Sequence, residues 1–330
     1  MRAVLPYATS SPSPRLGELP DPTLAADEVL IDVRATALNR ADLLQMRGLY
    51  QPPQGESEIP GLECAGVVTA LGAQAQSSWQ EGDRVMALLG GGGHAERVAV
   101  PATQLMPIPD GWSFEDAAAI PEALLTAWTN LVAEGGLSPT PTDTPRHVLI
   151  TAATSGVGIV AVQLAKALGA RVLVAGRSRN RLERLMPYGA DITVPLDDDL
   201  PTVVREVTDN RGVELVMDMA GGMWTAQALE ALAPQGRLVL VGLMAGLRAE
   251  IDLSAILRRR LKLLGSVLRT RSRAEKTKLV TDVRHHALPL LESGKIQPVI
   301  DQSYEFEQIP DAYHDMAEGG HWGKLVVRVP

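Results

Sequence analysis

Apolar and polar positions follow two different rhythms along the chain. In the first third the apolar runs are short and strand-like: Val29-Leu30-Ile31-Asp32-Val33, Ala65-Gly66-Val67-Val68-Thr69 and Arg84-Val85-Met86-Ala87-Leu88. Pro and Gly separate them, and residues 50–60 carry Pro52, Pro53 and Pro60, which predicts an ordered loop rather than a helix. An irregular, barrel-like β domain fits this pattern. The rhythm changes near Ala117. Residues 117–134 are Ala/Leu-rich at helical spacing and end at Gly135-Gly136, and a Pro/Thr-rich connector covers 138–145.

Strands and helices then alternate. Strands are predicted at 147–151, 171–175, 192–194, 215–219 and 237–241, with helices at 157–168, 180–188, 200–208 and 225–232. This alternation marks βαβ units on a parallel sheet. The strands are near-continuous apolar runs, such as Val148-Leu149-Ile150 and Leu238-Val239-Leu240-Val241, as a sheet covered on both faces requires. Residues 261–268 read as the last strand of that sheet. Beyond Gly265 a helix is predicted at 274–291 and a strand at 324–329 that returns to the first domain. The fold class is therefore α/β, a β domain joined to a doubly wound parallel sheet, divided as 1–122, 123–265 and 266–330.

Composition narrows the classes of function. The chain has 330 residues, about two domains' worth, and 45% hydrophobic residues suffice for real cores. Lys+Arg 31 against Asp+Glu 39 gives a net charge of −8, which weighs against nucleic-acid or anionic-membrane partners. The single cysteine, Cys64, excludes intrachain disulfides and a thiolate-rich zinc lobe, and reads as a small buried hydrophobe. Met1 to Leu5 followed by Pro6 offers no signal-peptide core, and the apolar stretch 238–247 is far shorter than the ~20 residues of a membrane span. A cytoplasmic protein is expected.

The strongest chemical signal is the first strand-to-helix turn of the alternating region, Ala152-Ala153-Thr154-Ser155-Gly156-Val157-Gly158. Such turns let backbone approach a pyrophosphate seated on the helix N-terminus. Ala153, Ser155 and Gly158 occupy the fingerprint positions, and only the last is glycine. A plain tight turn is the alternative; the strand before and helix after favour a dinucleotide. At the end of the next strand an NAD-selective site carries Asp or Glu for the ribose 2′-hydroxyl. Here the chain reads Gly176-Arg177-Ser178-Arg179-Asn180-Arg181, with no carboxylate before Glu183. Arg177, Arg179 and Arg181 around the Ser178 hydroxyl are suited to a 2′-phosphate, which predicts NADP(H). Solvated arginines are the alternative, although a helix start disfavours cations.

Several segments together carry a resemblance. Asn39-Arg40-Ala41-Asp42-Leu43-Leu44, Gly48-Leu49-Tyr50-Gln51-Pro52-Pro53, Gly61-Leu62-Glu63, Ala117-Ala118-Ala119-Ile120-Pro121-Glu122, Leu125-Thr126-Ala127, Gly242-Leu243-Met244-Ala245-Gly246 and Leu268-Arg269-Thr270-Arg271-Ser272 are similar to zinc-free quinone oxidoreductases. These are zeta-crystallin-like members of the medium-chain dehydrogenase/reductase superfamily. Ser155 and the Leu-Arg-Thr-Arg-Ser stretch most resemble its tumour-suppressor-inducible branch. The resemblance spans essentially the whole chain. It implies a GroES-like β domain interrupted by a Rossmann domain, with the active site in the cleft between them.

The resemblance also implies residue roles. Asn39, Asp42 and Tyr50 would lie near the nicotinamide, with Tyr50 as proton donor or stacking surface; packing for Tyr50 and a helix N-terminal position for Asp42 remain open. Thr126, Gly242, Leu243 and Met244 would border the nicotinamide, Ser266, Val267 and Leu268 its carboxamide, and Lys324 would join the cofactor site. Zinc relatives place Cys at the position of Asn39 and His at that of Leu62, so no metal is expected. His94 and the glycines at 90–93 read as a flexible loop, and His285-His286 diverge by about 100° on a helix. The expected function is NADPH-dependent reduction of a small-molecule quinone. The alternatives are a zinc-free enoyl reductase and an NADP-binding structural or RNA-associated protein. Finally, an apolar edge strand at 261–268 invites self-pairing, and the resemblance likewise implies a homodimer.

Overall fold

Strand-like patterning in the first third becomes one mixed sheet in the computed structural model, which describes residues 1–6, 14–76, 78–195 and 199–330. The chain divides into two units: Met1–Leu125 with Arg269–Glu292 and Pro298–Pro330, and Thr126–Leu268 with Ser293–Gln297. In the first, β1 (Arg2–Val4) and β2 (Leu16–Glu18) form a small antiparallel pair. The larger sheet uses β3 (Glu28–Ala37), β4 (Glu63–Leu71), β5 (Arg84–Leu88), β6 (Arg97–Pro101), β7 (Leu105–Pro107), β14 (Ile300–Glu305) and β15 (Lys324–Arg328). Its order is β14-β15-β3-β4-β5-β7, with β6 also paired to β3. Antiparallel pairing of β15 with β3, Val326 opposite Ala37, sets the last strand inside this sheet, between β14 and β3.

The inward positions of these strands build one core, with Val29, Ile31, Val33, Val85, Leu105 and Val327 packed on Phe306 and Tyr313. Cys64 is buried in it, and burial pushes its thiol far up, as a small hydrophobe requires. Helices α1 (Arg40–Gln45), α2 (Phe114–Ala118), the start of α3 (Pro121–Trp128), α9 (Arg273–His286), α10 (Leu288–Glu292) and α11 (Ile309–Glu318) complete the unit.

The second unit is a six-stranded parallel sheet, order β10-β9-β8-β11-β12-β13. Its strands are β8 (His147–Thr151), β9 (Arg171–Gly176), β10 (Ile192–Pro195), β11 (Val213–Asp218), β12 (Leu232–Leu240) and β13 (Lys262–Gly265). The connecting helices are α4 (Gly156–Ala167), α5 (Arg179–Glu183), α6 (Leu200–Val207), α7 (Met223–Glu230) and α8 (Leu253–Arg259). This is the doubly wound order in which ligands meet the C-terminal ends of the strands.

Proline explains where elements depart from the sequence reading. The single helix expected at 117–134 is α2, then α3 starting at Pro121, then a π-helical turn at Thr129–Ala133. Pro121 has no N–H to continue the preceding turn and restricts Ile120. Pro187 shortens the helix expected at 180–188 to α5 and a 3-10 turn, and Pro289 divides the one expected at 274–291. Unit boundaries fall at 125/126 and 268/269, against 122/123 and 265/266 from sequence. Residues 293–297 pack with the second unit because Gln163 and Gln297 exchange bonds, Nε2 to the Gln297 carbonyl at 3.0 Å and Gln297 N–H to Oε1 at 2.9 Å.

The glycines at 90–93 are a correction. They are buried, not a flexible loop. A Cβ at Gly90 would lie 2.2 Å from the Glu56 carboxyl, and one at Gly91 would lie 2.3 Å from the Ser57 carbonyl. The run is the floor on which the 50–60 loop rests, and side chains there would lift it. Among the described residues, no helix is long and apolar enough to cross a membrane.

Candidate active site

Asn39 ends β3's run and opens α1. Its backbone N–H donates to Asp42 Oδ2 at 2.7 Å, so the short helix begins with an acidic residue facing its unpaired amides. The other Asp42 oxygen accepts from the Gly61 N–H at 3.1 Å. Asp42 is thus buried with both oxygens on backbone donors, and it ties α1 to the start of β4. That is a structural employment of a residue the sequence reading placed among the catalytic ones.

The Asn39 amide turns toward β4. Its Nδ2 donates to Glu63 Oε1 at 2.8 Å, while its Oδ1 accepts from Lys324 Nζ at 2.7 Å. Lys324 also donates to Glu63 Oε1 at 2.6 Å and to the Leu38 carbonyl at 3.0 Å. All three ammonium hydrogens therefore have protein acceptors, with Lys324 at 4% and Glu63 at 0% exposure. Lys324, expected at the cofactor site, orients Asn39 and neutralises Glu63. The second Glu63 oxygen accepts from the Glu122 N–H at 2.8 Å, fixing the first turn of α3 above the pair.

Glu122 is the titratable outlier. Burial and the Glu63 charge raise its carboxyl to about 8, against the opposing pull of Lys324. Nearby, Tyr50 lies half-buried in the proline-rich loop; burial and the Glu122 charge push its phenol up to about 12, so it keeps its proton at neutral pH. Arg269 secures that loop. Its Nε donates to the Gly90 carbonyl at 2.8 Å, one Nη to the Tyr50 carbonyl at 3.0 Å, and the other Nη to Gln45 Oε1 at 2.7 Å. Its guanidinium lies 5.2 Å from the Tyr50 ring centroid, within cation–π range. Lys276 adds a 3.2 Å bond to Glu56 farther along the loop. His94 is fully buried, with Nδ1 2.9 Å from the Tyr313 hydroxyl, and burial lowers its pKa.

In the second unit the expected turn is formed as the sequence reading describes. Ser155 caps α4, accepting from the Gly158 N–H at 3.1 Å, and Ala152 takes a left-handed φ of 49° at the bend, with Thr154, Gly156 and Val157 around it. A Cβ on Gly158 would lie 2.4 Å from the Ala153 carbonyl, so glycine is required for the helix to approach the strand. Gly176 is buried at the end of β9, Arg177 and Ser178 are exposed, and Arg181 is half-buried on α5. On the loop after β12, Gly242 is half-buried while Leu243 and Met244 are exposed.

Thr126, Ser266 and Leu268 are buried and Val267 is exposed. The Ser266 hydroxyl has no hydrogen-bond partner among the described residues, an orphan of the kind a ligand amide satisfies. Asp218, which the sequence reading passed over, is fully buried and holds the neighbouring loop. It accepts from the Thr151 and Thr225 hydroxyls at 2.7 and 2.6 Å and from the Ala220 and Gly221 N–H groups at 2.9 and 3.2 Å.

Family models match both units: the alcohol dehydrogenase GroES-like domain over residues 25–110 and the zinc-binding dehydrogenase over 156–285. The chain belongs to the medium-chain dehydrogenase/reductase superfamily. It is 33% identical to the rat synaptic vesicle membrane protein VAT-1 homolog, over 93% of this chain and 78% of the relative. It is 31% identical to bovine quinone oxidoreductase-like protein 2, over 91% and 84%. The chain spans only 65% of the zebrafish (Danio rerio) VAT-1 homolog, at 31% identity over 93% of this chain. Among solved structures it is similar to Thermus thermophilus quinone oxidoreductase, described with its NADPH complex (33% identity, both chains fully covered, TM-score 0.82). An NAD-dependent alcohol dehydrogenase is alike at 30% identity and TM-score 0.84, again with full coverage of both.

Membership in this superfamily raises the question of zinc. Leu62 is an apolar side chain buried beside Glu63, Asn39 offers a neutral amide, and the shared Glu63 oxygen already holds an ammonium. Among the described residues no group of three or more His, Cys, Asp and Glu is arranged for a metal. The donor set does not fit zinc.

Proposed function

We propose that this oxidoreductase is an NADPH-dependent quinone reductase of the zeta-crystallin-like, tumour-suppressor-inducible branch. The observation that carries the reading is the Asn39–Glu63–Lys324 cluster, where a lysine ammonium supplies the positive charge and no ligand set for a Lewis acid remains. Aldehyde reduction concentrates charge on one oxygen, which calls for a metal or aimed donors worth roughly 3–4 kcal/mol each. A quinone spreads that charge over a ring, so orientation carries most of the effect.

NADPH, when bound, supplies the hydride. Thr154 to Gly158 would receive its pyrophosphate, Arg177, Ser178 and Arg181 its 2′-phosphate, and Ser266 its carboxamide. Thr126, Gly242 and Met244 would border the nicotinamide. Tyr50, on a loop braced by Arg269, offers a flat face and a protonated phenol to a ring. The cytoplasm is the compartment we assign. Edge strand β13, with exposed Leu263, and α8, with exposed Leu253 and Leu257, form an apolar margin suited to a two-fold dimer; a monomer mass in light scattering at micromolar protein would refute that assembly.

The deciding experiment compares oxidation of NADPH and NADH with 1,4-benzoquinone, 9,10-phenanthrenequinone and a crotonyl thioester. Quinones should turn over fastest, with NADPH bound at least about tenfold tighter than NADH, a margin near 1.4 kcal/mol that the S178A/R181A double variant erases. Equal affinity for the two cofactors would overturn the NADP assignment. The second reading, enoyl reduction, is favoured by two protonated groups, Tyr50 and Glu122, since that chemistry needs a proton for the α-carbon. A thioester preferred over every quinone would establish it.

A further inference from the structure

We propose that Asp218 is a positioning residue for the dinucleotide: its buried carboxyl group holds in one arrangement the loops that leave the C-terminal ends of β8, β11 and β12. This inference rests on the NADPH reading and deepens it, naming what fixes the shape of that site before the cofactor arrives. In the order β10-β9-β8-β11-β12-β13, β8 is the first strand in the chain and β11 the fourth, so the order reverses between them. A doubly wound sheet receives its ligand outside the strand ends at that switch point. Right-handed crossovers leave β8 toward one face and β11 toward the other, so the main chain alone does not tie the two loops together.

Side chains tie them here. The last ladder pair between β8 and β11 is Ile150 with Met217, and the next residue on each strand is Thr151 and Asp218. The Thr151 hydroxyl donates to Asp218 Oδ1 at 2.7 Å and accepts from the Met219 N–H at 3.0 Å. The same Oδ1 accepts from the Ala220 and Gly221 N–H groups at 2.9 and 3.2 Å, while Oδ2 accepts from the Thr225 hydroxyl at 2.6 Å. One carboxyl group thus joins the end of β8, the turn after β11 and the start of α7.

The loop after β12 is tied to the same residue through the main chain. The Asp218 carbonyl accepts from the Val241 N–H at 2.7 Å, and the Ala220 carbonyl from the Ala245 N–H at 2.7 Å. Gly221, at a φ of 73°, runs so close to this loop that a Cβ there would lie 2.8 Å from the Leu243 Cα. Moving the turn at 219–222 therefore moves the segment that carries Leu243 and Met244. Three of the four bonds to the carboxyl converge on Oδ1, and all four donors are neutral, so the network calls for an acceptor in a set place. A loop already ordered in its binding shape spares the entropy of ordering it when the ligand arrives. Arg177 and Ser178 follow β9, outside these bonds. Asp218 therefore acts on the part of the cofactor that NADPH and NADH share.

Two readouts that need no turnover test this: quenching of protein fluorescence by NADPH and by NADH, and amide hydrogen exchange of the cofactor-free protein. Asp218→Ala should weaken both cofactors by the same factor, about tenfold or more, leaving their ratio unchanged. In the free protein it should speed exchange of the 219–221 amides by at least about tenfold. Asp218→Asn should restore most of the affinity and the protection, because its carbonyl keeps the three Oδ1 bonds and its amide donates to the Thr225 hydroxyl. Thr151→Val, nearly isosteric, decides the matter should the Ala variant fail to fold; it should show the same pair of changes at about threefold or more. Parental affinity in a folded Ala or Val variant would overturn the proposal, as would a loss confined to NADPH. An Asn variant as impaired as the Ala one would also overturn it, since charge rather than geometry would then be at work. A parent that binds neither cofactor would sink the NADPH reading itself and this inference with it, whereas parental affinity in the variants sinks the inference alone.

Discussion

Lys324 reaches Asn39 across 285 positions of sequence and Glu63 across 261, whereas Ser155 caps its helix on an amide only three residues away. The polar site of the first unit is assembled by long-range sheet pairing and is almost wholly buried. The turn of the second unit is built by adjacent residues and leaves Thr154 to Val157 half-buried, while Arg177 and Ser178 after β9 are exposed. The two kinds of site respond to damage differently. In the buried cluster each polar group depends on a partner elsewhere in the fold, so losing one strands another in a medium that cannot solvate it. In the turn the backbone path itself is the device, and its weak point is steric.

The sharpest way to break this comparison is to remove the buried cation. Lys324→Met keeps the length of the side chain but leaves Glu63 charged, fully buried and without its counter-ion. Breaking one side of such a pair costs about 3–5 kcal/mol, so urea unfolding at pH 7 should show a loss of that size. Adding Glu63→Gln should recover much of it, because the stranded charge, rather than the missing bond, is the main penalty. A loss below about 1 kcal/mol would mean the pair is not the buried anchor described.

What could be read from the sequence follows the same divide. The parallel sheet was legible because its strands are continuous apolar runs, and the strand-to-helix turn after β8 was legible because Ser155, Gly156 and Gly158 are neighbours. Asn39, Asp42 and Tyr50 were singled out through resemblance, and the fold gives each a definite place. Lys324 was noticed, but its partners were not: nothing in Lys-Leu-Val-Val tells that β15 pairs with β3 and delivers an ammonium to β4's first residue. Glu122 sat in a quoted motif with no assigned part, since its raised carboxyl depends on burial in the fold and on Glu63 from strand β4. The buried glycines at 90–93 were misread because a glycine run looks alike in a mobile loop and beneath a closely packed one. Only the neighbour, Glu56 and Ser57, distinguishes them.

A smaller loss is expected in the second unit. Gly158→Ala places a methyl 2.4 Å from the Ala153 carbonyl, which is backbone and cannot rotate away. Helix α4 must shift outward, at a cost of about 1–3 kcal/mol, the usual range for overpacking. Because the same shift opens the turn, quenching of protein fluorescence by NADPH should weaken at least about tenfold. Unchanged stability and binding would show that α4 does not approach β8 as closely as this geometry requires.

The smallest effect concerns stability against pH and returns to Glu122. Its carboxyl ionises near 4.3 in an unfolded chain and near 8 in the folded one. Folding therefore favours the protonated form. That contribution is complete below the unfolded value and is lost as pH rises through 4.3 to 8, because the unfolded state gives up its proton first. Glu122→Gln has no proton to lose, so the variant should gain on the parent across this window and hold a constant margin above pH 8. Glu122 retains some solvent contact, and screening reduces the full linkage value to a margin of about 1 kcal/mol. Paired urea melts at pH 5 and pH 9 measure it as a difference between two proteins, in which all other titrating groups cancel. The variant should be clearly the more stable at pH 9 and nearly matched to the parent at pH 5. A parent more stable than the variant at pH 9 would mean that Glu122 is held as a carboxylate, with Lys324 or Lys276 outweighing burial.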